Sequence, residues 1–339
     1  MEKTSFQKYT DQERISQLVR HNFDVASGVK SGEIQFNHAF IDLERICNLS
    51  CHGCFEHMNT DRTKTKLTYK EVMDITDFAY ERGAQVIVIA GAGEPTLDSD
   101  FERIIEYIYQ KRMGSVVFTN GSKLDEKLSN FLFDNNVSIL VKQFSMDFDK
   151  QDFIIGRVGM SKKMREGLET LMKVKKEREK TGRKTSEVGV ESYISLENIE
   201  EISEILRYCR RNKLIPYLES FIIRGQDKEI TKLAPTQEQL NRLFQELAKI
   251  DKEECGIQTP LKVGSPKYGG GPCIRGKASF AVHTDGSVYE CISGSHEFGN
   301  IRKQSLGGIL TPENPKVKKF YSDLSICEPC CLLYQLKKE

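Results

Sequence analysis

Arg45-Ile46-Cys47-Asn48-Leu49-Ser50-Cys51-His52-Gly53-Cys54-Phe55 is the stretch on which the reading of this chain turns. Its three cysteines stand three and then two residues apart, so it offers three thiolates where a structural zinc site asks for four ligands. The next cysteine is Cys209, and His52 and His57 match no zinc-finger spacing. Three thiolates suit a cubane iron–sulfur cluster that keeps one iron open to a ligand. The loop therefore reads as a reactive site rather than a cross-link.

Working outward, short apolar runs alternate with amphipathic helical patterns, the signature of βα units and a parallel sheet. Residues 40–43 form the first strand, whose loop carries the cysteines. Thr68 with Glu71 makes a capping box for a helix through Val72, Ile75 and Ala79 that stops at Gly83, and 85–90 is a buried strand. The pattern continues with helix 101–111, strand 115–119, helix 124–133, strand 137–142, helix 163–177, strand 187–194, helix 199–212 and strand 217–223. Thr236 with Gln239 caps a last helix bearing Leu240, Leu243, Phe244, Leu247 and Ile250. Six βα units wound right-handed give an α/β fold, a partial (β/α)6 TIM-like barrel with an open side. The Gly/Pro-rich run 260–272 marks a boundary. We divide the chain into an N-terminal extension, 1–36, the barrel, 37–258, and a small hairpin-plus-helix region, 259–339.

In such folds chemistry collects at the carboxyl ends of strands. Gly91-Ala92-Gly93-Glu94-Pro95-Thr96 follows the second strand, Thr119-Asn120-Gly121 ends the third, and Ser145-Met146-Asp147 follows the fourth. Small residues let a ligand approach the backbone, and Glu94 can accept hydrogen bonds from an ammonium group. Each loop alone is commonplace. Their order downstream of the three-cysteine loop is what carries weight.

Taken together, residues 37–225 resemble the radical S-adenosylmethionine (SAM) enzymes, whose hallmark is a C-x3-C-x2-C loop after the first barrel strand. The resemblance implies that Cys47, Cys51 and Cys54 hold a 4Fe–4S cluster whose open iron chelates SAM. Reductive cleavage of SAM then yields a 5'-deoxyadenosyl radical that abstracts a substrate hydrogen. It implies SAM contacts from Gly91, Gly93, Glu94 and Pro95, which look like the family's GGEP motif, and from Thr119, Asn120, Ser145 and Asp147. The family usually carries an aromatic residue just before the third cysteine. Here that position is Gly53, with Phe55 beyond Cys54, and the backbone contact to adenine is expected to survive the change.

Cys273, Cys291, Cys327 and Cys330 form a second set, and Asp285-Gly286 signals a hairpin between 279–284 and 288–291. Spacing alone leaves zinc and iron–sulfur open here. Four residues separate Gly286 from Cys291, matching the G-x4-C element of the family's SPASM and twitch extensions, which implies an auxiliary 4Fe–4S cluster. The shorter twitch form, with one cluster, fits a chain that has only Cys331 left over.

Cys209 continues an apolar helical face with Ile202, Ile205 and Leu206, so it belongs to the core. Cys255 and Cys331 read as spare thiols, or as hydrogen-atom donors if the reaction is an epimerisation. His283 and His296 read as structural. Glu219 and Arg224, on and after the sixth strand, are candidate substrate contacts.

Lysine plus arginine number 50 against 49 acids, which removes any global charge argument for nucleic acid. The basic stretch 162–184 is a solvated face or a dock for an acidic flavodoxin- or ferredoxin-like electron donor. Ten cysteines without a secretory signal, and no apolar run near the ~20 residues of a membrane span, lead us to expect a reducing, cytoplasmic setting. The leading expectation is oxidation of a small polar substrate such as a sugar or aminocyclitol, since twitch relatives include such dehydrogenases. The alternatives are a ribosomal-peptide maturase performing crosslinking, epimerisation or cleavage, a redox-neutral epimerase, or a non-catalytic zinc-bearing binding module.

Overall fold

The Val/Ile-rich runs assemble into one sheet in the computed structural model, which describes residues 34, 36–54, 66–91, 93–221, 231–261, 267–270 and 279–322. The strands are β1 (His38–Ile41), β2 (Val86–Ile89), β3 (Gly114–Thr119), β4 (Val137–Lys142), β5 (Val188–Ile194), β6 (Ile215–Ser220), β7 (Ser279–Val282), β8 (Ser287–Tyr289) and β9 (Glu297–Asn300). Their order is β6-β5-β4-β3-β2-β1-β7-β8-β9. Strands β1 to β6 are parallel, as the βα pattern requires.

Between and after them run α1 (Tyr69–Glu81), α2 (Phe101–Gln110), α3 (Glu126–Asp134), α4 (Phe148–Ile154), α5 (Met160–Lys180), α6 (Ile202–Arg211), α7 (Gln237–Cys255), α8 (Leu306–Ile309) and α9 (Pro315–Ser322). Both expected capping boxes are formed, at Thr68/Glu71 and Thr236/Gln239. Helix α4 is absent from the sequence reading. Asp147 caps it, and its seven residues are too few to show a period. Helix α5 starts three residues earlier than the apolar pattern suggests, because the buried Asp152 carboxylate accepts from the Gly159 and Ser161 N–H groups at its first turn.

Alternation along the strands separates two cores. Ala39, Ile41, Ile87, Ile89, Val117, Ile139, Val141, Val188 and Val190 face the helices, each Ile or Val burial contributing about 1.5–3 kcal/mol. Phe40, Val86, Val88, Val116, Leu140, Ile215 and Tyr217 face the barrel interior. The polar residues Asn120, Lys142, Glu191 and Glu219 occupy inward positions toward the carboxyl ends of their strands.

The C-terminal hairpin is where the sequence leads us to expect it, with β7 and β8 antiparallel, but its first strand also pairs parallel with β1, His38 opposite Ser279. Without β7 that edge of β1 would expose unpaired backbone groups. At the other edge Lys267 bridges Glu219 on β6, and the Tyr268 N–H donates to the Leu218 carbonyl at 2.9 Å. The nine chain steps from Gly270 to Ser279 span at most about 30 Å, which bounds how far apart the two edges can lie. Among the described residues no helix is long and apolar enough to cross a membrane.

Candidate functional site

The cysteine loop leaves β1 and is held by backbone bonds on one side and amides on the other. Ser50 and His52 N–H groups donate to the Ile155 and Ile154 carbonyls at 3.0 and 2.9 Å, so the end of α4 lies against the loop. The approach is so close that a side chain on Gly156, at φ 65°, would strike the Ser50 carbonyl. Asn48 donates through Nδ2 to Ser122 Oγ at 2.8 Å and accepts from Asn120 Nδ2 at 2.7 Å. Arg157 donates to the Asn48 carbonyl at 2.7 Å.

Glu94 is buried, and its carboxylate accepts from Thr119 Oγ1 at 2.6 Å, the Asn120 N–H at 2.6 Å, Thr96 Oγ1 at 2.7 Å and the Thr96 N–H at 3.2 Å. Four donors fix its orientation without a cation. Its own N–H donates to the Ile46 carbonyl at 3.0 Å, which ties this loop to the cysteine loop. Gly93 is required there, because a β-carbon would collide with the Glu44 carbonyl oxygen. Gly91 likewise faces the Asp42 carboxylate.

At Gly53, a β-carbon would lie 2.5 Å from Phe221 Cε2 and 2.8 Å from Tyr193 Cζ. Rings from the ends of β5 and β6 thus crowd the space a side chain would enter. Tyr193 stacks at 4.2 Å on Phe144 and meets Phe221 edge-on at 5.4 Å. Its hydroxyl is buried without a hydrogen-bond partner.

The three thiols line one cavity of about 1190 Å³, including the open solvent at its mouth, with Gly53, Gly91, Gly93, Glu94 and Asn120. The same cavity reaches Lys142, Glu191, Tyr193, Tyr217 and Glu219. These belong to aligned rows: Lys142 is opposite Glu191, Glu191 opposite Tyr217, and Tyr193 opposite Glu219. Burial pushes the Glu191 carboxyl up to about 7, with Glu219 adding to the rise and Lys142 opposing it. Burial alone would lower the Lys142 ammonium, but the facing charge of Glu191 and the nearby thiols outweigh it and raise it. Burial also raises Cys47, and it pushes Cys51 up to about 12.

Sequence reasoning missed Lys142, Glu191, Tyr193 and Tyr217. The signal was present as a lysine and a glutamate at the inward parity of otherwise Val/Ile-rich strands. Other expected residues take different places. Thr119 reaches Glu94 rather than the cavity surface, and Pro95 opens the short 3-10 turn Pro95–Leu97. Ser145 is buried, bonded to Glu201 and to the Asp147 N–H, while Asp147 caps α4. Neither lines the cavity. Cys209 is core, as expected. Cys255 is exposed at the end of α7 and lies outside the cavity lining. Buried His283 faces Asp42 at 3.6 Å, and His296 bonds Glu290 at 2.9 Å. Cys291 is buried beside Phe40 and Ala281 in the interior core. Phe55, Arg224, Cys273, Cys327, Cys330 and Cys331 lie outside the described residues.

Among the described residues no three His, Cys, Asp or Glu side chains could share one metal ion. A single metal ion would ask for such a group around one point. A cubane asks for something else, three thiols bordering one space and each binding a different iron, and the shared cavity meets that requirement.

The Radical SAM superfamily model matches residues 43–209, and an iron–sulfur cluster-binding domain of the SPASM type matches 273–331. The chain is similar to the tungsten-containing aldehyde ferredoxin oxidoreductase cofactor-modifying protein of Pyrococcus furiosus, 23% identical over 299 residues and 81% of each chain. It is also similar to the mycofactocin maturase MftC of Mycolicibacterium smegmatis, 24% identical over 77% of this chain and 66% of that one. In fold it resembles Streptococcus suis SuiB bound to the precursor peptide SuiA, with a TM-score of 0.64 at 16% identity over 91% of this chain and 70% of that one. It likewise resembles anSMEcpe with bound AdoMet and a peptide, at 0.60 and 15% identity over 84% and 81%. The cysteine loop, the barrel around it and the C-terminal cysteines therefore belong to a radical SAM superfamily protein with a SPASM-type iron–sulfur region, whose cofactors are SAM and 4Fe–4S clusters.

Proposed function

We propose that this radical SAM enzyme oxidises a polar group that reaches the cavity floor at Lys142, Glu191 and Glu219, carried by a small molecule such as a sugar or aminocyclitol. The observation behind this reading is a row of charge in the cavity that the three thiols line, with Glu191 buried and Lys142 and Glu219 half-buried beside it. Cys47, Cys51 and Cys54 hold the SAM-cleaving cluster, and Cys273, Cys291, Cys327 and Cys330 the auxiliary one. When bound, SAM and the first cluster would supply a 5'-deoxyadenosyl radical that removes a substrate hydrogen, the second cluster would take the remaining electron, and the proton of the oxidised group would pass to Glu191 or to solvent. Glu94, fixed by Thr96, Thr119 and Asn120, accepts from the SAM ammonium. Asn48 and Asn120 hold the cysteine loop against that site. Glu191, with one carboxylate oxygen lacking a partner, accepts from a substrate hydroxyl or amine, while Lys142 opposes the loss of its charge.

A second reading presents the polar group on a ribosomal peptide. It is favoured by the likeness to a maturase and by the peptide-bound SuiB fold. Deuterium transfer separates the two. Label in 5'-deoxyadenosine from a deuterated sugar or aminocyclitol supports the first, label only from a deuterated peptide supports the second, and no SAM cleavage counts against both. In either case Glu191→Gln should lose label transfer while keeping substrate-free SAM cleavage.

A further inference from the structure

Tyr193 is fixed at both its backbone and its ring. Near the end of β5 its carbonyl accepts from the buried Asn198 Nδ2 at 2.8 Å. Its ring lies between Phe144, at 4.2 Å, and Phe221, edge-on at 5.4 Å. With ring and backbone both held, the direction of the hydroxyl is set by the fold rather than by solvent.

That direction is the turn between the second and third cysteines. A β-carbon at Gly53 would lie 2.9 Å from the hydroxyl oxygen, so only glycine lets the phenol come so near. The Cys54 N–H closes this turn on the Cys51 carbonyl at 3.2 Å. Tyr193 and Cys51 also pack against the same small core of Leu49 and Phe144.

The hydroxyl proton is unspent. Burial, and next the charge of a Cys51 thiolate, push the phenol well above its ordinary value of 10, so it stays protonated and can donate. The hydroxyl nevertheless has no hydrogen-bond partner. Glu191 and Glu197 act on it through their charge, yet each keeps one carboxylate oxygen without a partner of its own. A buried donor left unmade costs about 1–3 kcal/mol. Beside three thiols, the missing acceptor is sulfur.

We propose that the Tyr193 hydroxyl donates a hydrogen bond to sulfur at the Cys51 corner of the SAM-cleaving cluster and thereby makes that cluster easier to reduce. The proposal rests on the reading that Cys47, Cys51 and Cys54 hold a cluster, and it is independent of the substrate. Hydrogen bonds to sulfur are among the factors that set a cluster's potential. Reduction adds one negative charge, so a fixed donor favours the reduced form, and the phenol keeps its proton throughout.

The test compares reconstituted full-length wild type, Tyr193→Phe and a control, Tyr208→Phe, whose ring packs under the Arg165 guanidinium outside the cavity lining. Reduction is followed by electron paramagnetic resonance without SAM, and the first cluster is identified as the signal that changes when SAM is then added. Phenylalanine keeps the ring, so iron content should match wild type. The one-electron reduction equilibrium should become about 3- to 10-fold less favourable in Tyr193→Phe, tenfold being about 59 mV, and change less than ~2-fold in Tyr208→Phe. In deuterated buffer, electron–nuclear double resonance should show one exchangeable deuteron that Tyr193→Phe lacks. An unchanged potential, an equal shift in Tyr208→Phe, or loss of iron from Tyr193→Phe overturns the proposal. Weaker SAM binding at an unchanged potential also overturns it, by assigning the hydroxyl to SAM. A wild type that takes up zinc and no iron removes the cluster reading itself, and the proposal with it.

Discussion

Gly53 and Tyr193 compete for one volume: a β-carbon at residue 53 would lie 2.8 Å from the tyrosine Cζ and 2.9 Å from its hydroxyl. This explains how the chain departs from its family just before the third cysteine. Gly53→Ala should cost about 1–3 kcal/mol through overpacking. Combining it with Tyr193→Ala should recover part of that cost, giving a coupling of about 0.5–3 kcal/mol in denaturant titrations of the cluster-loaded protein. Strictly additive losses would show that the two positions do not share the space.

Glu94 depends on its donors. Thr119→Val removes the 2.6 Å bond while keeping the shape, leaving the buried carboxylate with three donors. A loss of about 1–2 kcal/mol corresponds to SAM binding roughly 5- to 30-fold weaker by calorimetry. Iron content should be unchanged, which separates a SAM-positioning role from one in cluster assembly.

The C-terminal region is clamped to the barrel by Arg302. Its guanidinium bonds Glu71 at 2.7 and 3.2 Å and the Lys66 carbonyl at 2.9 Å. Arg302 beside it holds the Glu71 carboxyl below the ordinary carboxylate value of 4.5. A depressed carboxylate stabilises the fold above its unfolded pKa, and that contribution fades as pH falls through the lower folded value. Glu71→Gln should therefore cost about 1 kcal/mol at pH 7, discounted for partial exposure, and progressively less as pH falls through the lowered carboxyl value. Thermal melts across that range check the convergence, and a constant difference at all pH values would contradict it.

Arg112 and Lys213 end helices with φ of 60° and 55°, a conformation that glycine adopts without the β-carbon penalty. Arg112→Gly and Lys213→Gly should each leave stability unchanged or raise it by up to about 1 kcal/mol. A loss above ~1 kcal/mol in chemical denaturation would mean that these side chains carry contacts worth more than the strain.

Much of the architecture was legible because buried parallel strands announce themselves as Val/Ile runs, and the helices as capped periodic segments such as Thr68 to Gly83. The three thiols and Glu94 were legible because their chemistry is local to two short loops. Of the cavity floor only Glu219 was legible, as a polar residue on the sixth strand, whereas Lys142 and Glu191 were not, since they come from two other strands and meet it only through register. The pairing of β7 with β1 was equally hidden, because an unfilled strand edge leaves no mark on the residues that form it. Ser145 shows the converse: a polar residue at a strand end looks like a ligand contact, yet here its hydroxyl holds Glu201 and a helix start.

The most direct test of the central claim is iron counting and 5'-deoxyadenosine assay after anaerobic reconstitution, for wild type and for alanine at Cys47, Cys51 and Cys54. The account predicts about eight irons in wild type, about four in the triple variant, and SAM cleavage only with the three cysteines intact. Cleavage that survives their loss, or a wild-type protein that binds zinc and takes up no iron, would contradict it.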